Sequence, residues 1–551
     1  MIRKAAAVLL LVVCLACRER QLPPVSATAP DESKPQAGGT VVRRLDADVS
    51  TLNPVLITTK YDHYIARYLF EPLLQYDSTL EVAPGLAEKW EIAPDGKAYT
   101  FHLDPKAHFS DGTPVRAADV LFTLKKIIDP ASEAVQIAGQ FDRLDLARTR
   151  IVDDRTIVIA FTEALAPQLS WFFSVRVIPE HVYAAGDFKT AFDRQIVGTG
   201  PYKLVRRVPG QEILLERRDD YWGTKPYLQR ILFKLITDDA TAWNAVKRGD
   251  VDETQVPSEI WARESGRPEL KKYLEFRRFY TLNYNFVPWN LRDPLLSDKR
   301  VRRALAMCID LESVVKNLYR GTARAMSGPF TPDQWAYNPD VPVIKYDPQE
   351  AKRILNSLGW LDTDGDGWLD KNKKPFRFEM IIVAGNIASG PFSQLFQAEL
   401  KNIGVDMKIS QLDGNTFMER ILGSNFQAAV LNWELDPDPD PYALFHSSQM
   451  PPRGYNFIGY SNPAADKLIE AGHREVDRSK RVAIYRQLHA LLADEQPYTW
   501  TIQVSVKWAL NKRLHNVKES KGWGLFLWTP AELDWWIPAD ARTHDRQPPT
   551  K

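Results

Sequence analysis

Cysteine is nearly absent: the 551 residues hold three, and two of these, Cys14 and Cys17, fall at the extreme N-terminus. Cys308 is left without a partner, which excludes an internal disulfide framework or a thiolate metal cluster in the body of the chain. An excess of one charge is also missing. Lys and Arg total 71 against 70 Asp and Glu, so nothing asks for nucleic acid or an anionic membrane surface as partner. No apolar run reaches the roughly 20 residues that span a bilayer. The nine histidines follow no metal-ligand spacing. HExxH, a GxSxG elbow and a Walker A loop are absent, and no CxxC pair follows Cys17. These absences weigh against catalysis without excluding it.

Aromatic residues are plentiful, with 16 Trp, 20 Tyr and 24 Phe. Such rings fill cores, and they also grip organic ligands at small entropic cost. The N-terminus is a targeting segment. Arg3 and Lys4 precede an unbroken apolar stretch, Ala5 to Ala16, which is too short to span and ends in Leu15-Ala16-Cys17. That ending looks like a bacterial lipoprotein cleavage site with Cys17 as the lipid-carrying residue. Cys14 stands where that motif has Leu, and plain signal-peptidase cleavage is the alternative. Residues 18–38, rich in Pro, Ser, Ala and charge, read as a flexible tether.

The body alternates strands and helices. Phe376 to Val383 is β-rich, Pro391 to Ile403 is an amphipathic helix closed by Gly404, and Val405, Met407 and Ile409 alternate as a strand. That order is a βαβ unit. Asp347-Pro348-Gln349-Glu350 opens a helix that ends at Gly359, and Asp477 caps one running toward Pro497. Gln427 to Trp433 is a strand that runs into a loop dense in Asp and Pro. Cys308 falls on the apolar face of a helix with Val301, Ala304 and Leu305, as a buried small hydrophobe.

GLAEKWEIAPDGKAYTFHLDPKAHFSDGTPVRAADVLFTL, from Gly85 to Leu124, resembles the signature of the dipeptide/oligopeptide-binding proteins of bacterial ABC importers, solute-binding protein family 5. Further blocks keep the family's order: Leu52-Asn53-Pro54, Gly198-Thr199-Gly200-Pro201-Tyr202, Asp220-Tyr221-Trp222, Gly249-Asp250-Val251-Asp252, Val301 to Leu305 and Tyr460 to Pro463. The blocks themselves read as scaffold. Asp95-Gly96 and Asp111-Gly112 are turn dipeptides, and Trp90, Tyr99, Phe101 and Phe109 fill a small β-rich core.

The resemblance implies an α/β, two-lobed clamp of the periplasmic-binding-protein type (type II, large peptide-binding class) with an extra inserted β-rich domain. Its first lobe would comprise residues 38–80, 196–282 and 497–540, the inserted domain 81–195, and the second lobe 283–496. Strands crossing near Tyr280 to Asn285 and Gln496 to Ile502 would form the hinge. The clamp would close on a small peptide or peptide-like solute and present it to importer permease subunits. It would act outside the cytoplasm as a monomer held to the membrane by Cys17, with no cofactor and no bond made or broken. The candidate ligand residues are Trp433, Glu434, Leu435 and Asp436, with Asn386, Asn53, Tyr284 and Trp500. In peptide-binding relatives a Trp-x-x-Asp supplies a carboxylate to the peptide's α-amino group; Trp433 and Asp436 match that spacing. Asp438 and Asp440 compete for the role within the same run of Asp-Pro pairs. Relatives that bind dipeptides carry an Arg soon after the strand matching Phe376 to Val383; here the segment reads VAGNIASG, with Asn386 and no Arg, which favours a longer peptide or a ligand without a free carboxylate.

Asp362, Asp364 and Asp366 reproduce the first half of a calcium loop, but Lys373 occupies the twelfth position, where a bidentate acid is needed. The segment is expected to be a metal-free turn. An oligosaccharide-binding member of the same family is the alternative reading of the chain, and a cell-surface hydrolase a distant third. The anchor is tested directly: Cys17→Ser should move the protein from the membrane fraction to the soluble extract, and unchanged membrane retention would refute lipid attachment at Cys17.

Overall fold

The computed structural model describes residues 34–134, 136–386 and 388–546; Cys17 and the apolar stretch before it lie outside these. Among the described residues no helix is long and apolar enough to cross a membrane. The backbone of the architecture is a ten-stranded mixed sheet. In spatial order it runs Leu431–Glu434, Asn283–Pro288, Tyr498–Asn511, Glu253–Gln255, Thr40–Leu45, Arg230–Leu235, Glu212–Arg217 and Tyr202–Val208. Leu274–Tyr280 and Ala323–Ala325 also pair with Tyr498–Asn511.

Tyr498–Asn511 is 14 residues long and belongs to two cores. Its first part pairs antiparallel with Asn283–Pro288, and its second, Ser505 to Asn511, with Leu274–Tyr280. Tyr498 and Trp500 pack in the second lobe, whereas Leu510 joins the core of the first. The segment 497–540 is therefore not wholly part of the first lobe. Its opening residues belong to the second, and the change of partner falls at Gln503 and Val504 rather than at Gln496 to Ile502. The chain crosses a second time between Tyr280 and Asn283.

The β-rich segment after residue 80 forms a four-stranded antiparallel sheet, Ala87–Ile92, Ala98–Leu103, Thr156–Ala160 and Arg150–Asp153 in spatial order. Asp95-Gly96 turns between the first two, with Gly96 at φ +69°. Tyr99, Phe101 and Phe109 are buried; Phe101 meets Phe172 with ring centroids 4.6 Å apart. This core is continuous with that of the first lobe. Two of the sequence blocks hold together the chain segments that flank this insertion. A Cβ at Gly198 would sit 2.0 Å from the Leu69 carbonyl oxygen, so only glycine lets the chains approach. Trp222 Nε1 donates to Glu71 Oε2 at 2.9 Å, and Tyr221 donates to the other oxygen. Burial pushes the Glu71 carboxyl up to about 7.

The second lobe contains the expected βαβ unit: Arg377–Val383 and Asp406–Leu412 pair parallel around the helix Ser389–Asn402. That helix starts two residues before the expected Pro391 and is followed by Gly404 at φ +86°. Asp347 caps Pro348–Ser357 by accepting from Glu350 N at 2.9 Å. Asp477 caps Arg478–Glu495. The expected strand Gln427 to Trp433 divides at Val430. Ala428–Ala429 pairs with Met380 and Ile381, and Leu431–Glu434 transfers to Asn283–Phe286 in the large sheet. Cys308 is fully buried, and burial pushes its thiol up to about 12, which makes it inert as a nucleophile.

In the first lobe Asp252 is fully buried, accepts from Val42 N at 2.7 Å and ion-pairs with Arg513. Removing one partner of such a pair strands the other charge. Asp252→Ala should therefore lower unfolding free energy by about 3–5 kcal/mol in urea titrations. A loss below about 1 kcal/mol would show that Arg513 needs no anion there.

Candidate functional site

Leu431–Glu434 is the outer strand of the large sheet: one edge pairs with Asn283–Phe286, and among the described residues no strand covers the other. A free edge can accept an extended peptide as an added strand. Two cavities adjoin it. The larger, about 550 Å³, lies between residues 136–171 and the second lobe; Trp171, Phe330, Trp433, Asp436, Tyr442 and His473 are among its lining residues. The smaller, about 280 Å³, lies within the second lobe beside Asn285, Asn386, Ser389, Phe417, Asn432 and Thr501. No charged side chain lines the smaller one. The segment 81–195 touches the second lobe: Ala166 N donates to His473 O at 2.7 Å, and Arg478 pairs with Glu81.

The Asp-Pro loop distributes its three carboxylates differently. Asp438 accepts from Arg481, with the closest approach 2.9 Å. Asp440 lies 3.1 Å from His473 Nδ1 and accepts from Tyr442 N at 3.1 Å. Asp436 has no ion pair or side-chain hydrogen bond among the described residues; only its main-chain oxygen is engaged, accepting from Gln334 Nε2 at 3.0 Å. The Asp436 side chain keeps contact with solvent in the cleft, yet protein atoms surround it on both sides. This crowding, and then the charges of Asp438 and Asp440, push its carboxyl up to about 6. Of the three acids of the Asp-Pro loop, Asp436 is the one a cation entering the cleft would meet without an ion pair among the described residues; Glu434, on the edge strand, lines the same cavity and is likewise unpaired there.

Trp433 lies flat over Phe286, with centroids 6.1 Å apart and planes 14° from parallel, and Tyr455 meets it edge-on at 5.8 Å. Glu434 and Leu435 also line the larger cavity. Leu435 N donates to Leu282 O at 2.8 Å, which ties the loop to the crossing between lobes.

The matching family model is described as bacterial extracellular solute-binding proteins, family 5, and covers residues 81–454. The chain belongs to this family. It is similar to the oligopeptide-binding protein AppA of Bacillus subtilis, 29% identical over 90% of this chain and 91% of that one. It is also similar to the dipeptide-binding protein of Escherichia coli, 27% identical over 81% and 85% of the two chains. Among solved structures, AppA of Bacillus subtilis in complex with a nonapeptide superposes with a TM-score of 0.76 at 27% identity, covering 92% of this chain and 100% of that one. The two-lobed clamp is the fold of this family 5 protein.

Other candidate residues lie elsewhere. Asn53 is fully buried; its Nδ2 donates to Phe188 O and its Oδ1 accepts from Val55 N, both at 3.0 Å, so the side chain joins scaffold segments and has no group free for a solute. Tyr284 and Trp500 sit in the aromatic core beneath the edge strand, at 0% and 3% exposure, and can only shape the floor. Asn386 lines the smaller cavity, where its Oδ1 accepts from Ala388 N and Ser389 N at 3.0 Å. The partners Arg481 and His473, which separate Asp438 and Asp440 from Asp436, carry no local sequence signal because they lie 43 and 33 residues away.

Asp362, Asp364 and Asp366 come together on an exposed turn with their ligand atoms within 4.8 Å. Backbone donors already occupy the carboxylates: Asp362 accepts from Gly365 N and Gly367 N, and Asp366 from Trp368 N. Adding 2 mM calcium should leave the melting temperature unchanged, following the millimolar range of weak extracellular sites; a rise reversed by chelator would establish a calcium site.

Proposed function

We propose that this family 5 protein captures a peptide-like solute outside the cytoplasm and delivers it to the permease of an ABC importer by closing its lobes. Asp436 carries this proposal: an acid without a protein partner, next to an uncovered strand edge. A peptide lying along Leu431–Glu434 would bond its backbone to the strand and bring its α-ammonium to Asp436, with Trp433 packing alongside. A desolvated ammonium needs such a charge. Nothing in the proposal requires a bond to be made or broken, so the protein would be a carrier rather than an enzyme. The tether and a lipid on Cys17 would hold it at the membrane as a monomer.

The smaller cavity sets the other end of the solute. Its neutral lining of Asn285, Asn386, Ser389 and Asn432 offers no cation where a dipeptide's carboxylate would end. This supports peptides longer than two residues. An oligosaccharide would need ring stacking on Trp433 or Tyr455 and would not depend on an amine.

Calorimetry with a tetrapeptide pool tests this. Asp436→Asn should weaken binding more than a hundredfold, as should N-acetylation of the peptides with the wild type. Asp438→Asn should do less to the amine and more to stability, since it strands Arg481. The pH dependence has a definite sign. Asp436 must be ionised to hold the ammonium, so affinity should be full above its value of about 6 and fall as pH drops through it. Equal binding of acetylated and free peptides would remove the amine from the mechanism and favour the sugar reading.

A further inference from the structure

The edge strand joins the two cavities. Val430, Leu431 and Asn432 line the smaller one, and Trp433 to Asp436 line the larger. The backbone stays extended along this run, because Leu435 N prolongs the pairing of Leu431–Glu434 by donating to Leu282 O. Extended chain rises about 3.3 Å per residue, so Asn432 and Asp436 stand roughly 13 Å apart. A peptide lying along the same edge covers that distance in about four residues.

The smaller cavity has an apolar floor and an amide rim. Phe392, Phe417 and Ile502 line it and are at most 6% exposed. Phe392 comes from the helix Ser389–Asn402, Phe417 from the helix Gly414–Leu422 and Ile502 from the strand shared by both lobes. Phe417 and Ile421, four residues apart, turn the second helix inward and leave Met418 exposed at the mouth. Asn386 and Asn432 are exposed there as well. The space is open: a Cβ at Gly414, another lining residue, would meet nothing within 4 Å. At about 280 Å³ the cavity exceeds the ~150 Å³ of an apolar cavity that takes a benzene ring.

The chemistry of the lining selects among occupants. A carboxylate or ammonium buried here would lose water and gain no counter-ion. An apolar side chain has no such cost and would cover the rings of Phe392 and Phe417. Amides at the rim suit the peptide main chain, since both bring donors and acceptors. Side chains of an extended peptide alternate, so only every second residue can turn toward the cavity.

We propose that the smaller cavity is a side-chain pocket for an aliphatic or aromatic residue of the solute, about four residues in from its amine. The inference rests on the solute lying along Leu431–Glu434 with its amine at Asp436. It adds a sequence preference to that reading: the protein selects peptides by a large apolar residue at this position as well as by their amine.

Pentaalanine and its variants with a single alanine replaced by leucine, bound to the full chain in a calorimeter, test this. Leucine at one of residues three to five should bind at least about tenfold more tightly than alanine, as burial of most of such a side chain provides. Glutamate at the same position should bind more weakly than alanine. Met418→Asp puts a charge at the mouth, on an exposed site that the fold tolerates, and should remove most of the leucine gain. Asp436→Asn should leave the ratio between the leucine variant and pentaalanine unchanged, so that failure of the amine reading and failure of this one are told apart. A leucine gain at no position, or at residues one or two only, would overturn the proposal. So would a gain that Met418→Asp leaves intact, tighter binding of glutamate than of alanine, or no binding of any of the pentapeptides.

Discussion

The two lobes depend on one strand. Tyr498–Asn511 gives its first residues to the second core and its last to the first, so each lobe is built on the same backbone ladder. Side chains in a strand alternate with a period of two, and a slip of one residue would turn Tyr498 and Trp500 out of their core and Leu510 out of its own. Burial at both ends therefore fixes the register, while the middle, at Gln503 and Val504, pairs with Ala323–Ala325 and is where the strand passes from Asn283–Pro288 to Leu274–Tyr280. The second crossing, after Tyr280, carries the Asp-Pro loop with it. Leu435 N bonds Leu282 O, so the residue before Asp436 is held by the backbone of the crossing itself. The acid is positioned at the junction without using its own side chain.

That positioning leaves unneutralised charge in the cleft walls. Asp436 has Asp438 and Asp440 beside it and no ion pair among the described residues. Like charges and unpaired ions cost more as water leaves, so closing the clamp while it is empty would raise the cost. A solute carrying the opposite charges reverses the sign of that contribution. Closure and binding are then linked through electrostatics, because the closed form gains from the solute what it loses without it. Contacts between the two sides of the clamp already exist: Ala166 N on His473 O, Glu81 with Arg478, Ser505 N on Thr322 O and Arg278 on Gly321 O.

Much of this fold was legible in the sequence because its signals are local. The βαβ unit around Ser389–Asn402 showed as a change of apolar period, and the helices after Asp347 and Asp477 showed as caps. The glycines at 198 and 200 stood in the sequence only as part of a family block; what requires them, the close carbonyls of Leu69 and Tyr68, lies about 130 residues upstream. The strand Gln427 to Trp433 was readable as a strand but not as one serving two sheets, since pairing partners are not encoded in alternation. Asn53 sat in a motif of the family and proved to be a scaffold bond, as a short polar side chain in a turn commonly is.

The Asp-Pro loop shows where local reading stops. Asp436, Asp438 and Asp440 share the same chemistry, the same following proline and nearly the same position along the chain. Proline fixes φ and removes the backbone donor, so none of the three is distinguished by strand pairing. Their difference comes from the helices Pro463–Arg474 and Arg478–Glu495, which place His473 beside Asp440 and Arg481 beside Asp438. Those two acids are thereby converted into supports that hold the loop against its lobe. The loop's stiffness and its one open charge are thus products of the same packing, since the helices that neutralise two carboxylates leave the third, nearest the edge strand, facing the cleft.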